Sequence, residues 1–269
     1  NYINHNDAYR ISKVLTESGN IYGLNSSSTD SHLIKNSEWG AVSYLSQSKY
    51  GLDGTNIVIN NVYLNNTTKS VYAVTGCAGA TANANAVSTT IGALNNRTQS
   101  SVYVWTQKNG TTASSTGTIY GIYDMSGGTW ERTASIVNNG NSNLTTYGSQ
   151  IMADLNNGGS TKYITVYPHD SSKDNTSISN TDANINTASQ ANYVKNTKIY
   201  GDGIRETSTA GTGTTSWYSD YSYFAGLVSP FFVRGGGYGN TSGAGLFCFG
   251  RRYGDSSYGT GFRSVLVSL

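Results

Sequence analysis

The clearest pattern of apolar positions in this chain predicts a helix that begins at residue 36 or 37. The Asn-Ser pair at 36–37 can cap the free amide groups of a helix, and Glu38 in the first turn suits the positive end of the helix dipole. Trp39, Val42 and Leu45 then recur at a spacing of three, which predicts one apolar helix face. A weaker pattern of the same kind predicts a helix over residues 8–15.

Strand patterns are short and scattered along the chain. In residues 101–107, Val102 and Val104 alternate with Tyr103 and Trp105, which is the period of two expected of a pleated strand. Five further segments have strand character, namely residues 56–59, 162–167, 230–234, 246–252 and 261–269. The pattern indicates a loop-rich domain that contains β-structure.

The segment 246–252 carries a specific expectation about the direction of its side chains. Alternation along a strand would place Phe247 and Phe249 on one face, with Leu246, Cys248 and Gly250 on the other. If Cys248 faces outward, it is an exposed thiol that should react readily with maleimide. A glycine triplet that ends at residue 237 forces a turn or a close backbone approach before this segment.

Polar stretches separate these elements, and two of them, residues 78–90 and 138–149, are predicted to be ordered surface loops. The chain has no internal repeat of fixed period and no proline-rich linker. We therefore expect a single domain over residues 1–269, with a polar lead-in at 1–30.

The composition is unusual because few residues are charged and many are tyrosine. Only 12% of the residues are charged, about half the usual share, and the formal net charge is +2. A nucleic-acid-binding protein would carry a basic stripe, and the chain offers only the pair at 251–252, so we expect no nucleic-acid partner. The 21 tyrosines can build a core while their hydroxyls stay wet, which disfavours a disordered chain.

Cysteine usage and hydropathy bear on the setting of the protein. Cys77 and Cys248 could form one long-range bridge, and the sequence leaves this open. No apolar run approaches the length of a membrane helix, and we expect no membrane contact by these residues. The chain starts at Asn1 without a methionine, so one interpretation is that an anchoring or targeting segment before Asn1 has been removed.

Candidate catalytic and metal-binding residues are sparse. His5, His32 and His169 are far apart in sequence, so we expect hydrogen-bonding or surface roles and no metal site from them. Asp124 and Glu131 could pair as acid and base, but the favoured interpretation is that they anchor the glycine turn at 121–128 by accepting backbone hydrogen bonds. A structural calcium stays open, because carboxylates and loop carbonyls are hard ligands.

Four motifs, taken in order, carry a resemblance to a known family. They are LIKNSEW at 33–39, GIYDMSGGTWE at 121–131, RGG at 234–236 and GFR at 261–263. Together they resemble the formylglycine-generating-enzyme-like domains over residues 31–269. The resemblance implies an α+β, irregular C-type-lectin-like fold, loop-rich, with few short strands and about two helices.

One subset of that family oxidises its substrate with a copper-binding cysteine pair between the RGG and GFR motifs. Here Cys248 is the only cysteine in that interval, and the resemblance places the two active positions near Asn240 and Gly245. We therefore expect no enzymatic activity and no cofactor.

The other subset comprises the variable proteins of diversity-generating retroelements, whose C-terminal segment is rewritten by adenine-directed mutagenesis to form a ligand-binding face. Residues 238–260 resemble such a segment, with Ala244, Gly245, Phe247 and Phe249 as a fixed framework. Lys, Glu, Gln, Trp and Met, which this mutagenesis of Asn codons does not produce, are absent from it. The resemblance implies twelve ligand-binding residues: Tyr238, Asn240, Cys248, Gly250, Arg251, Arg252, Tyr253, Asp255, Ser257, Tyr258, Gly259 and Thr260.

The function that this resemblance implies is recognition of a protein or other surface ligand, since Tyr and Arg dominate binding hot spots. Residues 215–224 add a likeness to surface proteins of Firmicute bacteria, so we expect an extracellular site on the bacterial cell surface, or else a phage virion. The alternative is a fixed structural or adhesive subunit of a pilus or virion. The ligand and the oligomeric state stay open.

Overall fold

Twelve strands and four α-helices lie within the residues that the computed structural model describes, which are 2–65, 71–79, 87–89, 102–104, 108–157, 162–173, 181–196 and 200–269. The helices are α1 (His5–Lys13), α2 (Asn36–Gln47), α3 (Ser142–Asn156) and α4 (Asp182–Lys195). The strands are β1 (Thr29–Leu33), β2 (Val62–Asn65), β3 (Val71–Ala73), β4 (Cys77–Gly79), β5 (Val87–Thr89), β6 (Val102–Val104), β7 (Trp130–Val137), β8 (Thr165–Tyr167), β9 (Phe231–Arg234), β10 (Phe249–Arg252), β11 (Thr260–Phe262) and β12 (Ser264–Ser268). The fold is mixed α+β with small sheets, which confirms the predicted class at this level.

The largest sheet has five strands, and β7 lies at its centre. Its order is β10-β9-β7-β11, and β8 also pairs with β7. β9 runs antiparallel to β7, whereas β11 is parallel to the start of β7 and β8 is parallel to its end. β10 pairs antiparallel with β9 and forms one edge of the sheet. This edge strand belongs to the segment for which the sequence predicts ligand binding.

Both faces of this sheet are covered by apolar side chains. On one face, Tyr9 of α1 and Leu144 and Ile151 of α3 pack with Phe231. The next residue, Phe232, points to the opposite face, where it packs with three further rings of Tyr167, Phe224 and Phe249 and with Tyr193 of α4. The sheet thus separates two cores, and burial of each such ring contributes about 1.5–3 kcal/mol.

A third core joins α2 to the C-terminal segment. Trp39 packs with Leu246 and Phe247, and its ring nitrogen donates a 2.8 Å hydrogen bond to the carbonyl of Leu246. Helix α2 begins at Asn36, as predicted, but the N-cap is Lys35 and not the predicted pair at 36–37. Glu38 accepts a hydrogen bond from the Lys35 amide at 2.9 Å. The third core therefore anchors the C-terminal segment on the predicted helix.

The predicted apolar face of α2 is wrong at one position, because Leu45 is 63% exposed. The face that packs inward includes the small residues Gly40, Ser43 and Ser46. A Cβ on Gly40 would lie 2.2 Å from the carbonyl oxygen of Gly201, so backbone-to-backbone contact decides which side of the helix is buried.

Three further predictions about helices are wrong. The expected loop at 138–149 contains the start of α3, which Asn141 caps and which buries Leu144 and Ile151 on one side. With α4, the described residues hold four α-helices where about two were expected. Helix α1 also begins earlier than predicted, because Asn4 accepts a hydrogen bond from the Asp7 amide at 2.8 Å and caps it.

The strand predictions hold in part. Residues 102–104, 165–167 and 231–234 are strands inside the predicted segments, whereas residues 56–59 are not in a strand. Residues 101 and 105–107 of the predicted strand lie outside the described residues. Residues 261–269 divide between β11 and β12, because Arg263 lies between them and β12 pairs with β1 instead. In the predicted loop at 78–90, β4 and β5 occupy parts, and residues 80–86 and 90 lie outside the described residues.

The bridge that the sequence left open between Cys77 and Cys248 is not formed, since both are buried thiols. Among the described helices, none combines the length and the apolar character that a bilayer crossing requires.

Candidate ligand-binding surface

Residues 244–250, here called the buried segment, lie beneath the predicted binding surface. Leu246, Phe247 and Phe249 are fully buried, so the two phenylalanines point inward as predicted. The predicted shared face is wrong, because Phe247 packs with Leu246 in the core of Trp39 whereas Phe249 packs in the core of Phe232. The Phe247 amide donates to the Asp220 carboxylate at 2.9 Å, and a Cβ on Gly245 would lie 2.0 Å from the same oxygen. The buried segment is therefore fixed by backbone contacts as well as by its rings.

The arginine of the RGG motif also supports the buried segment. Arg234 is fully buried, and its Nε donates to the carbonyl of Cys248 at 3.0 Å. Its Nη1 donates to the carbonyl of Asp202 at 2.9 Å. A guanidinium thus ties the segment to the 202–204 loop.

Three of the twelve predicted ligand-binding residues are buried, so their prediction as surface residues is wrong. Cys248 has no exposed surface, because residues 246–248 are not in a strand and do not alternate. Gly250 lies under the ring of Trp130, where a Cβ would be 2.7 Å from Cζ3. Thr260 is fully buried and accepts a hydrogen bond from Nη2 of Arg132 at 3.0 Å.

The expected exposed thiol at Cys248 is wrong for the same reason. Burial, and then the nearby Asp220 carboxylate, raise the pKa of Cys248 well above its ordinary value. The thiolate is the reactive form, so this cysteine is inert both by access and by protonation state.

Residues 251–259, here called the accessible segment, begin at the edge strand, and Arg251 projects toward α4. Its guanidinium donates to Ser189 Oγ at 2.6 Å and to Asn186 Oδ1 at 2.7 Å. It also lies 5.2 Å from the centre of the Tyr223 ring. Tyr253 follows two residues later and is 43% exposed. These residues form a half-exposed surface beside α4.

Arg252 projects to the opposite side of the sheet, as alternation along β10 requires. Its guanidinium lies 5.6 Å from the Trp130 ring centre, and its buried Nε has no hydrogen-bond partner among the described residues. A Cβ on Gly237 would lie 3.3 Å from Cδ1 of the same Trp130 ring, and Tyr238 stacks on Tyr63 with ring centroids 5.0 Å apart. The predicted residues therefore line two surfaces, not one.

Asn240 has a local role within the turn that leads into the buried segment. Its Oδ1 accepts a hydrogen bond from the Gly237 amide at 2.7 Å. Asn240 remains partly accessible, so it can still contact a ligand at its amide group.

The loop after β10 is held in place by the N-terminal residues. The His5 amide donates to the carbonyl of Gly254 at 2.8 Å, and Ile3 forms an isolated bridge with Ser257. The Tyr2 ring packs on the Tyr258 ring in a tilted arrangement, with centroids 4.5 Å apart. The N-terminal residues thus hold this loop on one side, and Asp255 and Tyr258 remain exposed.

The loop backbone is also held from below by Arg132. Its Nη1 donates to the carbonyl of Gly254 at 3.4 Å, and its Nη2 donates to the carbonyl of Asp255. The Ser257 hydroxyl accepts from the Gly259 amide at 3.2 Å and closes the turn.

Nine predicted residues keep some accessible surface in the structure. They are Tyr238, Asn240, Arg251, Arg252, Tyr253, Asp255, Ser257, Tyr258 and Gly259. Sequence reasoning missed their neighbours Trp130, Tyr223, Tyr63 and Tyr2, which lie far away in the chain. Trp130 stood in one of the quoted motifs, but nothing in the sequence indicated that it packs on Gly250.

Asp124 and Glu131 line a cavity of about 320 Å³, and Gly128 in the same lining accepts a hydrogen bond from the Tyr238 amide at 2.7 Å. Asp124 accepts a backbone hydrogen bond from the Gly76 amide at 3.0 Å, in agreement with the favoured interpretation. Glu131 instead accepts from the Arg263 guanidinium at 3.1 Å. Burial raises the pKa of both carboxyl groups, and each serves to join the glycine turn to another part of the chain.

The two histidines nearest the N-terminus are buried and hydrogen-bonded. His5 Nε2 donates to the carbonyl of Thr133 at 2.9 Å, and His32 lies between Asp30 and Glu38. Within the described part of the chain, no group of three His, Cys, Asp or Glu side chains could hold a metal ion.

Neither a scan against models of protein families nor a search of curated proteins returned a match for this chain. The resemblance carried by the four sequence motifs therefore stays a prediction.

Proposed function

We propose that this chain is a ligand-binding protein whose contacts are made by the accessible residues of the segment 238–260. The observation that carries the proposal is the sharp change in burial within one continuous segment. Residues 244–250 are packed into the core, whereas Arg251, Tyr253 and Tyr258 expose part of their side chains. A binding surface that is supported from below in this way is pre-organised, which lowers the entropic cost of binding.

The chemistry of the accessible residues supports recognition of a protein or another large surface ligand. Arg and Tyr are the types enriched in hot spots, and each is worth about 2 kcal/mol or more when a partner buries it. Arg251 and Arg252 are already held by hydrogen bonds or by a ring, so little side-chain freedom remains to be lost on binding.

The proposal extends to the class of protein. We infer a C-type-lectin-like fold of the formylglycine-generating-enzyme-like kind, with 238–260 as the segment that a diversity-generating retroelement rewrites. The four motifs support this inference, and the fixed framework residues Ala244, Gly245, Phe247 and Phe249 are all buried. The setting we propose is the bacterial cell surface, with a phage virion as the alternative.

We assign no catalytic step to this chain. The resemblance places the two active cysteine positions near Asn240 and Gly245, and the residues found there support this choice. Asn240 closes a turn through the Gly237 amide, and Gly245 lies against the Asp220 carboxylate with no room for a side chain. The one nearby thiol, at Cys248, is buried.

Sequencing the 3′ end of the gene across its source population tests the proposal. We expect variation confined to codons within 238–260, at adenine positions, and strongest at residues 251–253, 255, 257 and 258. Because Cys248, Gly250 and Thr260 are buried, their codons should stay constant. An invariant window would contradict diversification and favour a fixed adhesive or structural subunit.

A further inference from the structure

Strand β12 forms an open edge of the two-stranded sheet that it makes with β1. The two strands are antiparallel, with Thr29 opposite Ser268 and Leu33 opposite Ser264. β1 is buried from its second residue onward, whereas β12 is exposed from Leu266 to its end. Among the described strands, β12 pairs with β1 alone, so one of its two edges faces no other described strand.

Hydrogen bonds at the two ends of the ladder show which backbone groups of β12 lie on the open edge. The Ile34 amide donates to the carbonyl of Arg263 at 3.3 Å, and the Leu269 amide donates to the carbonyl of Ser28 at 3.0 Å. Between these two bonds, alternation along the strand turns the amides and carbonyls of the odd-numbered residues toward β1. The amides and carbonyls that point away from β1 therefore belong to the even-numbered residues 264, 266 and 268.

The open edge is apolar and carries none of the residues that usually protect such an edge. The exposed fractions of Leu266, Val267 and Leu269 are 51%, 44% and 68%. Residues 264–268 include no charged residue and no proline. Native proteins commonly place one of these on an edge strand to prevent pairing with another chain. An apolar edge without them is a template for a further strand.

The sequence of β12 matches itself when it is read backwards, because residues 264–268 are SVLVS. Antiparallel pairing of two copies about a two-fold axis at Leu266 would place serine opposite serine, valine opposite valine and leucine opposite leucine. The same axis brings the outward backbone groups of 264, 266 and 268 opposite those of 268, 266 and 264 of the second copy. Each of these pairs can exchange two hydrogen bonds.

We propose that β12 is a self-association edge, at which two copies of this chain join their two-stranded sheets into one four-stranded antiparallel sheet. A two-fold interface requires a surface that is complementary to itself, and this edge meets that requirement in its side chains and in its backbone groups. A strand of unrelated sequence would leave this symmetry without a purpose. Because the paired strand has only five residues, the interface is small and association should depend on concentration.

Sedimentation velocity between about 1 µM and about 1 mM tests the proposal. The weight-average mass should rise from 28.6 kDa toward twice that value as the concentration increases. Hydrogen exchange of the Leu266 amide should slow over the same range, because this amide points to the open edge. Exchange of the Val265 and Val267 amides, which point to β1, should change less.

A pair of opposite charges at the two-fold axis tests the register. Leu266→Lys places two like charges opposite each other, as does Leu266→Glu, and each variant alone should weaken association by about tenfold or more. An equimolar mixture of the two variants should associate again, because opposite charges then meet at the axis. Leu45→Lys is the matched control, since Leu45 is 63% exposed on α2, and it should leave association unchanged.

Three results would overturn the inference: a monomer at every concentration, association that survives both Leu266 variants, or association that does not return in their mixture. Because Leu266 is half-exposed, both variants should stay folded, and thermal unfolding of each variant checks this. A monomer would leave the open edge to a strand of another protein. None of these results bears on whether the accessible segment binds a ligand.

Discussion

The buried segment 244–250 and the accessible segment 251–259 follow each other directly in the chain but have opposite roles in the structure. In the first, Phe247 packs on Trp39, and its amide bonds to Asp220. In the second, the backbone is held from below by His5 and Arg132, while the side chains of Tyr253 and Asp255 point outward. The difference teaches that tertiary contacts, and not alternation along a strand, decide which of these positions are buried.

The largest effect that separates the two segments should come from removing an aromatic ring. Phe247→Ala deletes a fully buried ring and should lower the free energy of unfolding by about 3–5 kcal/mol. Tyr253→Ala deletes a half-exposed ring and should change it by less than about 0.5 kcal/mol. Urea unfolding followed by tryptophan fluorescence measures both, and equal losses would contradict the comparison.

A smaller effect should appear where the two segments meet. Gly250→Ala places a Cβ 2.7 Å from Trp130 and 3.1 Å from Val233, so it should cost about 1–3 kcal/mol through displacement of the indole. Gly239→Ala is the matched control, because nothing lies within 4 Å of its Cβ. A red shift of the tryptophan fluorescence should accompany Gly250→Ala and not Gly239→Ala. A Gly250→Ala protein as stable as the wild type would show that this position tolerates a side chain.

His5, which helps to hold the accessible segment, should make the free energy of unfolding depend on pH. Burial, and then the charge of Arg132, lower the pKa of His5 below its ordinary value. Below pH of about 6.5 the unfolded chain therefore binds a proton that the folded chain does not, and stability falls by at most about 1.4 kcal/mol per pH unit. Urea unfolding at pH 7, 6 and 5 should show this slope in the wild type and a reduced slope in His5→Asn.

His32, which lies away from the accessible segment, should change stability with pH in the direction opposite to His5. Burial alone would lower the pKa of His32, but hydrogen bonds to Glu38 and Asp30 outweigh it and raise the pKa. Its stabilising contribution is full below about pH 6.5 and is lost as pH rises through the folded pKa. His32→Gln should therefore make the free energy of unfolding fall more steeply with decreasing pH. If neither His5→Asn nor His32→Gln changes this slope, the pH dependence does not come from these two histidines.

The smallest effect should come from the outer layer of the loop. Tyr2→Ala removes the ring that packs on Tyr258 and should cost about 0.5–1.5 kcal/mol at most. Hydrogen exchange should speed up at Gly259 and Thr260 and stay unchanged at Phe249. Faster exchange in the buried segment as well would mean that the two segments unfold as one unit.

Sequence patterns located the elements whose own residues dictate them. The start of α2 follows from a polar pair before an apolar run, and β9 from Phe231–Arg234 after a proline. Helix α3 was missed because Leu144 and Ile151 are set among Asn, Ser and Thr, which conceal their spacing. An element could be predicted where its own residues, and not its contacts with the rest of the fold, determine its structure.

The candidate site could be predicted only as a segment. That Phe247 and Phe249 face inward follows from their apolar rings, and the structure confirms it. The burial of Gly250 depends on Trp130, which is far away in the chain, and that of Thr260 on Arg132. Contacts of this kind leave no local signal.

The most direct test of the account compares two displayed libraries of this protein, each with six randomised positions. One library randomises residues 251, 252, 253, 255, 257 and 258, and the other randomises residues 244–249. Sorting for resistance to protease should retain more than about half of the first library and less than about one in ten of the second. Equal survival would contradict the claim that a rewritable surface rests on a fixed buried framework.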